Sequence, residues 1–128
     1  LHKAIRRQRQ MCIRDSYHAE SFVCDYLEAE GYQIVKRNYI ADGGEADIIA
    51  VLDEYVCFVE IKYRTNGSGL EAAIDTKKQK RIIKSAEQYM RKTGCRLQPR
   101  FDAAYVSSYN GEDLSLEYIL NAFDASGV

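Results

Sequence analysis

Two runs of residues, 46–52 and 55–63, constrain this chain more than anything else in it. Ile48, Ile49 and Val51, then Val56, Phe58, Val59 and Ile61, make both runs rich in β-branched and aromatic side chains, the composition of paired strands. Between them Asp53-Glu54 is the one polar pair able to turn the chain. A turn centred there sets Asp47 opposite Glu60 and Glu45 opposite Lys62, with Ile49–Phe58 and Val51–Val56 below them. Side chains two apart share a face of a strand, so all four polar groups crowd one patch at the end of an apolar hairpin. A turn of odd length would shift the pairing by one and carry Asp47 off that face.

Carboxylates at the end of an apolar sheet are costly unless something compensates them, and a divalent cation is the natural candidate. Two carboxylates, a metal and a lysine together can cut a phosphodiester. The plainer reading makes Glu60 and Lys62 a solvated pair guarding a sheet edge. Against it, Phe58, Val59 and Ile61 are apolar on both faces, the pattern of a central strand.

At 128 residues and 14.6 kDa the chain has room for one domain. No apolar run approaches the roughly 20 residues that span a bilayer, so no membrane partner is expected. With no secretory signal legible, the expected location is cytoplasmic. Cys12, Cys24, Cys57 and Cys95 form no CxxC pair and read as reduced thiols. The net charge of −1 argues against a protein that coats nucleic acid generally. Its distribution is uneven, however. Residues 77–100 hold nine Lys or Arg and one acid, Glu87, whereas residues 101–128 hold five acids and no base. That asymmetry suggests a local groove for a polyanion, or else a merely solvated helix face.

Along the chain, residues 1–15 fit no fold pattern, and residues 11–16 resemble translated adapter sequence. They are expected to be a leader, disordered or artefactual, outside a domain spanning 16–128. A first helix starts near Ser16, a good N-cap, and carries Ala19, Phe22, Val23, Tyr26 and Leu27 as one apolar stripe bordered by Glu20. Gly31 ends it. A strand follows over about 32–39, and Asp42-Gly43-Gly44 turns the chain into the hairpin. After a polar loop at 65–69, a long helix is expected over about 70–92, with Ile82, Ile83, Ala86, Tyr89 and Met90 buried. Lys78 and Gln79 lie on that stripe one turn earlier and should point toward the sheet, while Lys77, Lys80, Arg81, Lys84 and Arg91 fan outward. Strands at about 100–109 and 114–119, joined by Asn110-Gly111, complete the order α-β-β-β-α-β-β: an α/β domain with a mixed β-sheet flanked by helices.

Several of these segments together resemble the YraN-like family of small bacterial proteins in the restriction-endonuclease-like, PD-(D/E)xK, superfamily. They are residues 44–50 (GEADIIA), 58–64 (FVEIKYR), Lys78-Gln79, 100–102 (RFD) and 121–123 (NAF). The resemblance covers about 16–123. The family usually reads GEIDLI and EVKTR, so Ala46 and Tyr63 depart conservatively; of its usual Gly-Glu on the first helix, Ala19-Glu20 keeps only the acid.

The resemblance implies a restriction-endonuclease-like core and a metal-dependent endonuclease-like phosphodiesterase acting on DNA, branched or damaged forms included. Asp47 takes the first acidic position, Glu60 and Lys62 the second motif, and Glu20 that of a helix-borne acid supporting the metal. Asp47, Glu60 and the backbone carbonyl of Ile61 would hold Mg²⁺ or Mn²⁺. Lys62 would orient the attacking water and balance charge on the phosphoryl group. Glu45 would position that ammonium or join the outer shell of the metal; a simple ion pair is the alternative. Lys78, Gln79, Lys77, Arg81 and Arg64, with Tyr63, would contact nucleic acid, unless Lys78 merely snorkels from the sheet. Glu20 could equally be a carboxylate favoured by its helix terminus, and Arg100–Asp102 reads as a structural ion pair. A non-catalytic nucleic-acid-binding or scaffold module of the same fold is the alternative function. A homodimer stays open, since many enzymes of the superfamily pair up to cut two strands and no self-complementary patch is legible.

Overall fold

The computed structural model describes residues 2–7, 15–65, 74–109 and 113–125. Its strands are β1 (His2–Arg7), β2 (Gln33–Ala41), β3 (Gly44–Leu52), β4 (Tyr55–Thr65), β5 (Gln98–Tyr109) and β6 (Asp113–Phe123). They form one sheet in the order β1-β6-β5-β4-β3-β2. All neighbours are antiparallel except β4 and β5, which run parallel from Tyr55↔Gln98 to Thr65↔Ser108. A parallel pair cannot be closed by a tight turn. The connection from β4 to β5 carries α2 (Thr76–Thr93), as the mixed α/β order anticipates. One element stands outside that order. The backbone of His2–Arg7, expected to lie outside the domain, pairs with β6 as an edge strand.

The sheet is covered on both faces because its strands alternate. Ile48, Ala50, Cys57, Val59, Ala104 and Val106 pack with Phe22, Val23 and Leu27 of α1 (Asp15–Ala29). Ile49, Val56, Phe58, Phe101 and Ala103 pack with Ile82 and Ala86 of α2. Removing one of these fully buried side chains, as in Leu27→Ala, costs about 2–5 kcal/mol. No helix among the described residues is long and apolar enough to cross a membrane.

The helix ends have local causes. After α1, Tyr32 N–H donates to the Leu27 carbonyl at 2.9 Å and Gly31 N–H to the Glu28 carbonyl at 3.0 Å, with Gly31 at φ +96°. This is a Schellman closure, and Tyr32 and Leu27 supply its apolar contact. The second helix begins later than its apolar pattern suggests: Ile74 and Asp75 are not helical, and the part of the expected helix before them lies outside the described residues. Asp75 is the N-cap, accepting from Lys78 N–H at 2.8 Å.

Gly44 fixes how closely α2 lies on the sheet. A Cβ there would sit 2.5 Å from the Arg81 carbonyl oxygen and 2.8 Å from Ser85 N, both backbone atoms of α2. Only glycine allows the helix to pass this near β3, and any side chain would push away the segment that carries Lys78 and Arg81.

Candidate active site

The Asp53-Glu54 turn produces the register anticipated from the sequence, with Leu52↔Tyr55, Val51↔Val56, Ile49↔Phe58 and Ile48↔Val59 as partners. There the β3–β4 ladder stops, while β3 continues on β2 to Ala41↔Gly44 and β4 continues on β5. The two strands part at Asp47. Ala46 and Ile48 should share a face, yet Ala46 packs with the α2 cluster and Ile48 with the α1 cluster. The chain therefore rolls about Asp47, whose Oδ2 accepts the Ile61 N–H at 2.8 Å in place of a ladder bond. The N–H and C=O of one strand residue point to the same neighbour, so the Ile61 carbonyl faces the same gap.

Glu60 lies beside this gap on the face toward α2. It is only 6% exposed, and among the described residues its Oε1 has no hydrogen-bond partner. Burial, then the neighbouring Asp47 carboxylate, pushes its pKa up to about 8, against the opposing pull of Lys78. An orphaned buried carboxylate oxygen costs more than the 1–3 kcal/mol of a neutral group, so the position calls for a proton or a cation.

The ammonium nearest the acids belongs to Lys78. Its Nζ donates to Glu45 Oε2 at 2.6 Å and lies 3.8 Å from Glu60 Oε2. Arg81 Nη2 holds the other oxygen of Glu45 at 3.3 Å. The hydrogen bond from Lys78 lowers the Glu45 pKa despite partial burial. Burial works against the charge on Lys78, but Glu45, Glu60 and Asp47 together raise its pKa above the ordinary value. This corrects the expected Glu45–Lys62 pair. Once β3 leaves β4, Glu45 has Ile40 of β2 as its strand partner and turns to α2. Lys62 shares the face of Glu60, is half-buried, and forms no ion pair among the described residues.

Glu20 is brought close but is engaged elsewhere. Asn38 Nδ2 donates to both its oxygens, at 2.9 and 3.3 Å, and Arg37 Nε lies 3.5 Å away. Asn38, at φ +53°, lies level with Asp47 across the β2–β3 ladder, between Arg37↔Ile48 and Tyr39↔Ala46. Among the described residues no group of three or more His, Cys, Asp or Glu is arranged to hold a metal. Asp47, Glu60 and the Ile61 carbonyl still form a hard-oxygen set of the kind that suits Mg²⁺, which keeps several waters and is commonly held by one or two carboxylates plus substrate phosphate.

Of the residues expected to meet nucleic acid, Lys77 and Arg81 are exposed on α2 beside Lys80 and Lys84. Gln79 is half-buried, and its amide donates to the Ile74 carbonyl at 2.8 Å and closes the helix entry. Tyr63 is likewise tied, by a 3.1 Å bond to Ser108. The Arg64 side chain and the 65–69 loop beyond Thr65 lie outside the described residues. Asn38 and the close approach at Gly44 were not foreseen. An Asn-Tyr pair inside a strand and the second glycine of a Gly-Gly turn are their only traces in the sequence.

A profile of the uncharacterised protein family UPF0102 matches residues 19–106. A UPF0102 protein of Caldanaerobacter subterraneus is 40% identical over 110 residues, covering 81% of this chain and 89% of that one. One from Lachnoclostridium phytofermentans is 41% identical over 116 residues, covering 84% and 91%. One from Nitrosococcus oceani is 36% identical over 109 residues, covering 82% and 87%. The matched range 19–106 includes Glu20, Glu45, Asp47, Glu60, Lys62 and Lys78.

Proposed function

The chain belongs to the UPF0102 family, the YraN-like group that its motifs resemble, and from that premise we propose that it is a divalent-cation-dependent phosphodiesterase acting on DNA. One observation carries the proposal: Glu60 is buried beside Asp47 with an oxygen that no donor among the described residues satisfies. A carboxylate kept only for structure would have acquired a donor. Asp47, Glu60 and the Ile61 carbonyl would hold Mg²⁺ or Mn²⁺. Such an ion, when bound, polarises a phosphate oxygen and makes its own water acidic.

The remaining work falls to side chains. Lys62, on the same strand face as Glu60 and in no ion pair among the described residues, orients the attacking water and offsets charge on the phosphoryl group. Lys77, Lys80, Arg81 and Lys84, set along α2 above the gap, hold flanking phosphates. Binding through them releases counterions and weakens as salt rises. Glu20, held by Asn38, sets the position of β2 beside Asp47.

Cleavage of branched, nicked and linear DNA in Mg²⁺ or Mn²⁺ tests this reading. Lys62→Ala and Asp47→Asn should each lower the rate by about 10²–10³. Equal rates for wild type and Lys62→Ala would overturn the mechanism. The other reading, a non-catalytic nucleic-acid-binding module, draws on the engagement of Lys78 and Arg81 by Glu45. It predicts DNA binding without cleavage and without any need for the cation.

A further inference from the structure

We propose that Lys78 is a built-in occupant of the cation site, a tethered ammonium that shields the acid pair until a divalent ion and a phosphate displace it. The inference rests on the cation site proposed above and concerns its regulation. Three observations lead to it. First, Lys78 Nζ stands 3.8 Å from Glu60 Oε2, close enough to attract the acid but too far for a hydrogen bond, and Glu60 Oε1 has no partner among the described residues. The lysine therefore screens Glu60 without satisfying it. Second, Nζ is held off Glu60 by Glu45, which accepts a hydrogen bond from it at 2.6 Å and is itself braced by Arg81. Third, the stem of Lys78 leaves the first turn of α2, whose nearness to β3 depends on Gly44.

A cation shared by Asp47 and Glu60 and an ammonium at this distance repel one another, so they compete for the pair. When the ion enters, Lys78 swings off the acids and is free to meet an incoming phosphate. Glu45 then has a definite task as a positioning residue. It draws the ammonium away from Glu60 and so keeps the site open to the ion.

The two residues should act with opposite sign on ion binding, which a general packing role would not produce. The test is Mn²⁺ affinity by calorimetry on the full chain without DNA, with circular dichroism checking the fold of each variant. Lys78→Met should bind Mn²⁺ at least about fivefold more tightly than wild type. Glu45→Gln should bind it more weakly, because Lys78 then rests on Glu60. The double variant should match Lys78→Met, showing that Glu45 acts only through the lysine. Lys62→Met, which removes an ammonium from the same face, should change the affinity less than Lys78→Met does. Equal or weaker binding by a folded Lys78→Met overturns the inference while leaving the cation site standing. A double variant that binds as weakly as Glu45→Gln overturns it too, by making Glu45 a ligand. No Mn²⁺ binding by wild type or by Lys78→Met removes the site itself and the inference with it.

Discussion

Asp102 and Glu60 are buried carboxylates on neighbouring strands, and the protein treats them in opposite ways. Asp102 lies on the α1 face, wholly inaccessible, and every approach to it is filled. Arg100 reaches it through Nε and Nη2 at 2.9 Å, the Tyr118 hydroxyl donates at 2.7 Å, and the Asn121 N–H at 2.9 Å. Arg100 in turn bonds the Tyr32 hydroxyl at 2.7 Å and stacks over the Tyr55 ring. Glu60, on the α2 face, has a second acid for a neighbour, a lysine held just out of reach and one oxygen without a donor among the described residues. A closed polar network makes a core specific; an open one leaves room for a ligand. The two acids stand one register position apart, and the difference separates the structural face of this sheet from its candidate chemical face.

Breaking the closed network should have the largest effect. Asp102→Ala leaves the Arg100 guanidinium largely buried and uncompensated, at a cost of about 3–5 kcal/mol. In a thermal melt that corresponds to a fall in Tm of roughly 10 °C or more. A small fall would mean that the network contributes no more than a surface pair.

The open site should answer to pH instead. Glu60 has a folded-state pKa raised from 4.5 to about 8, so the unfolded chain releases this proton first. Between these values the folded state binds more protons, and stability is lost as pH rises through the window. The slope should reach at most about 1.4 kcal/mol per pH unit. Glu60→Gln should flatten that slope, and chemical denaturation of both proteins from pH 5 to 8 checks it. An unchanged slope in the variant would assign the proton elsewhere.

The smallest effect concerns reactivity. Burial pushes the Cys57 thiol up to about 12, so alkylation at pH 8 should label half-buried Cys95 long before it. Labelling of the two at similar rates in the folded protein would contradict the packing around the Arg100 network, which Cys57 adjoins.

The contrast also explains what could be read from the residues alone. The hairpin was legible because its apolar runs and the Asp53-Glu54 turn leave one register that buries both faces. The inward aim of Lys78 was legible from the stripe of Ile82 and Ala86. Its partner was not. Glu45 meets Lys78 only because β3 rolls at Asp47, and that depends on α2 pressing against Gly44, a contact between elements far apart in the chain. The grip of Asn38 on Glu20 was hidden for a similar reason. The β2–β3 register shifts between Ile34 and Lys36, which reassigns the faces of the residues that follow. The Arg100–Asp102 pair, two apart on one strand, was accessible to local reading; Tyr32 and Tyr118, which complete it, come from outside that strand.

If Asp47 and Glu60 share one ion, the melting temperature must respond to Mn²⁺ through both of them. Saturating Mn²⁺ should raise the Tm of the wild-type protein, by about 2.7 kcal/mol of stabilisation at a hundredfold excess over Kd. Asp47→Asn and Glu60→Gln should each show no rise. A rise of equal size in all three proteins would place the ion elsewhere and contradict the account.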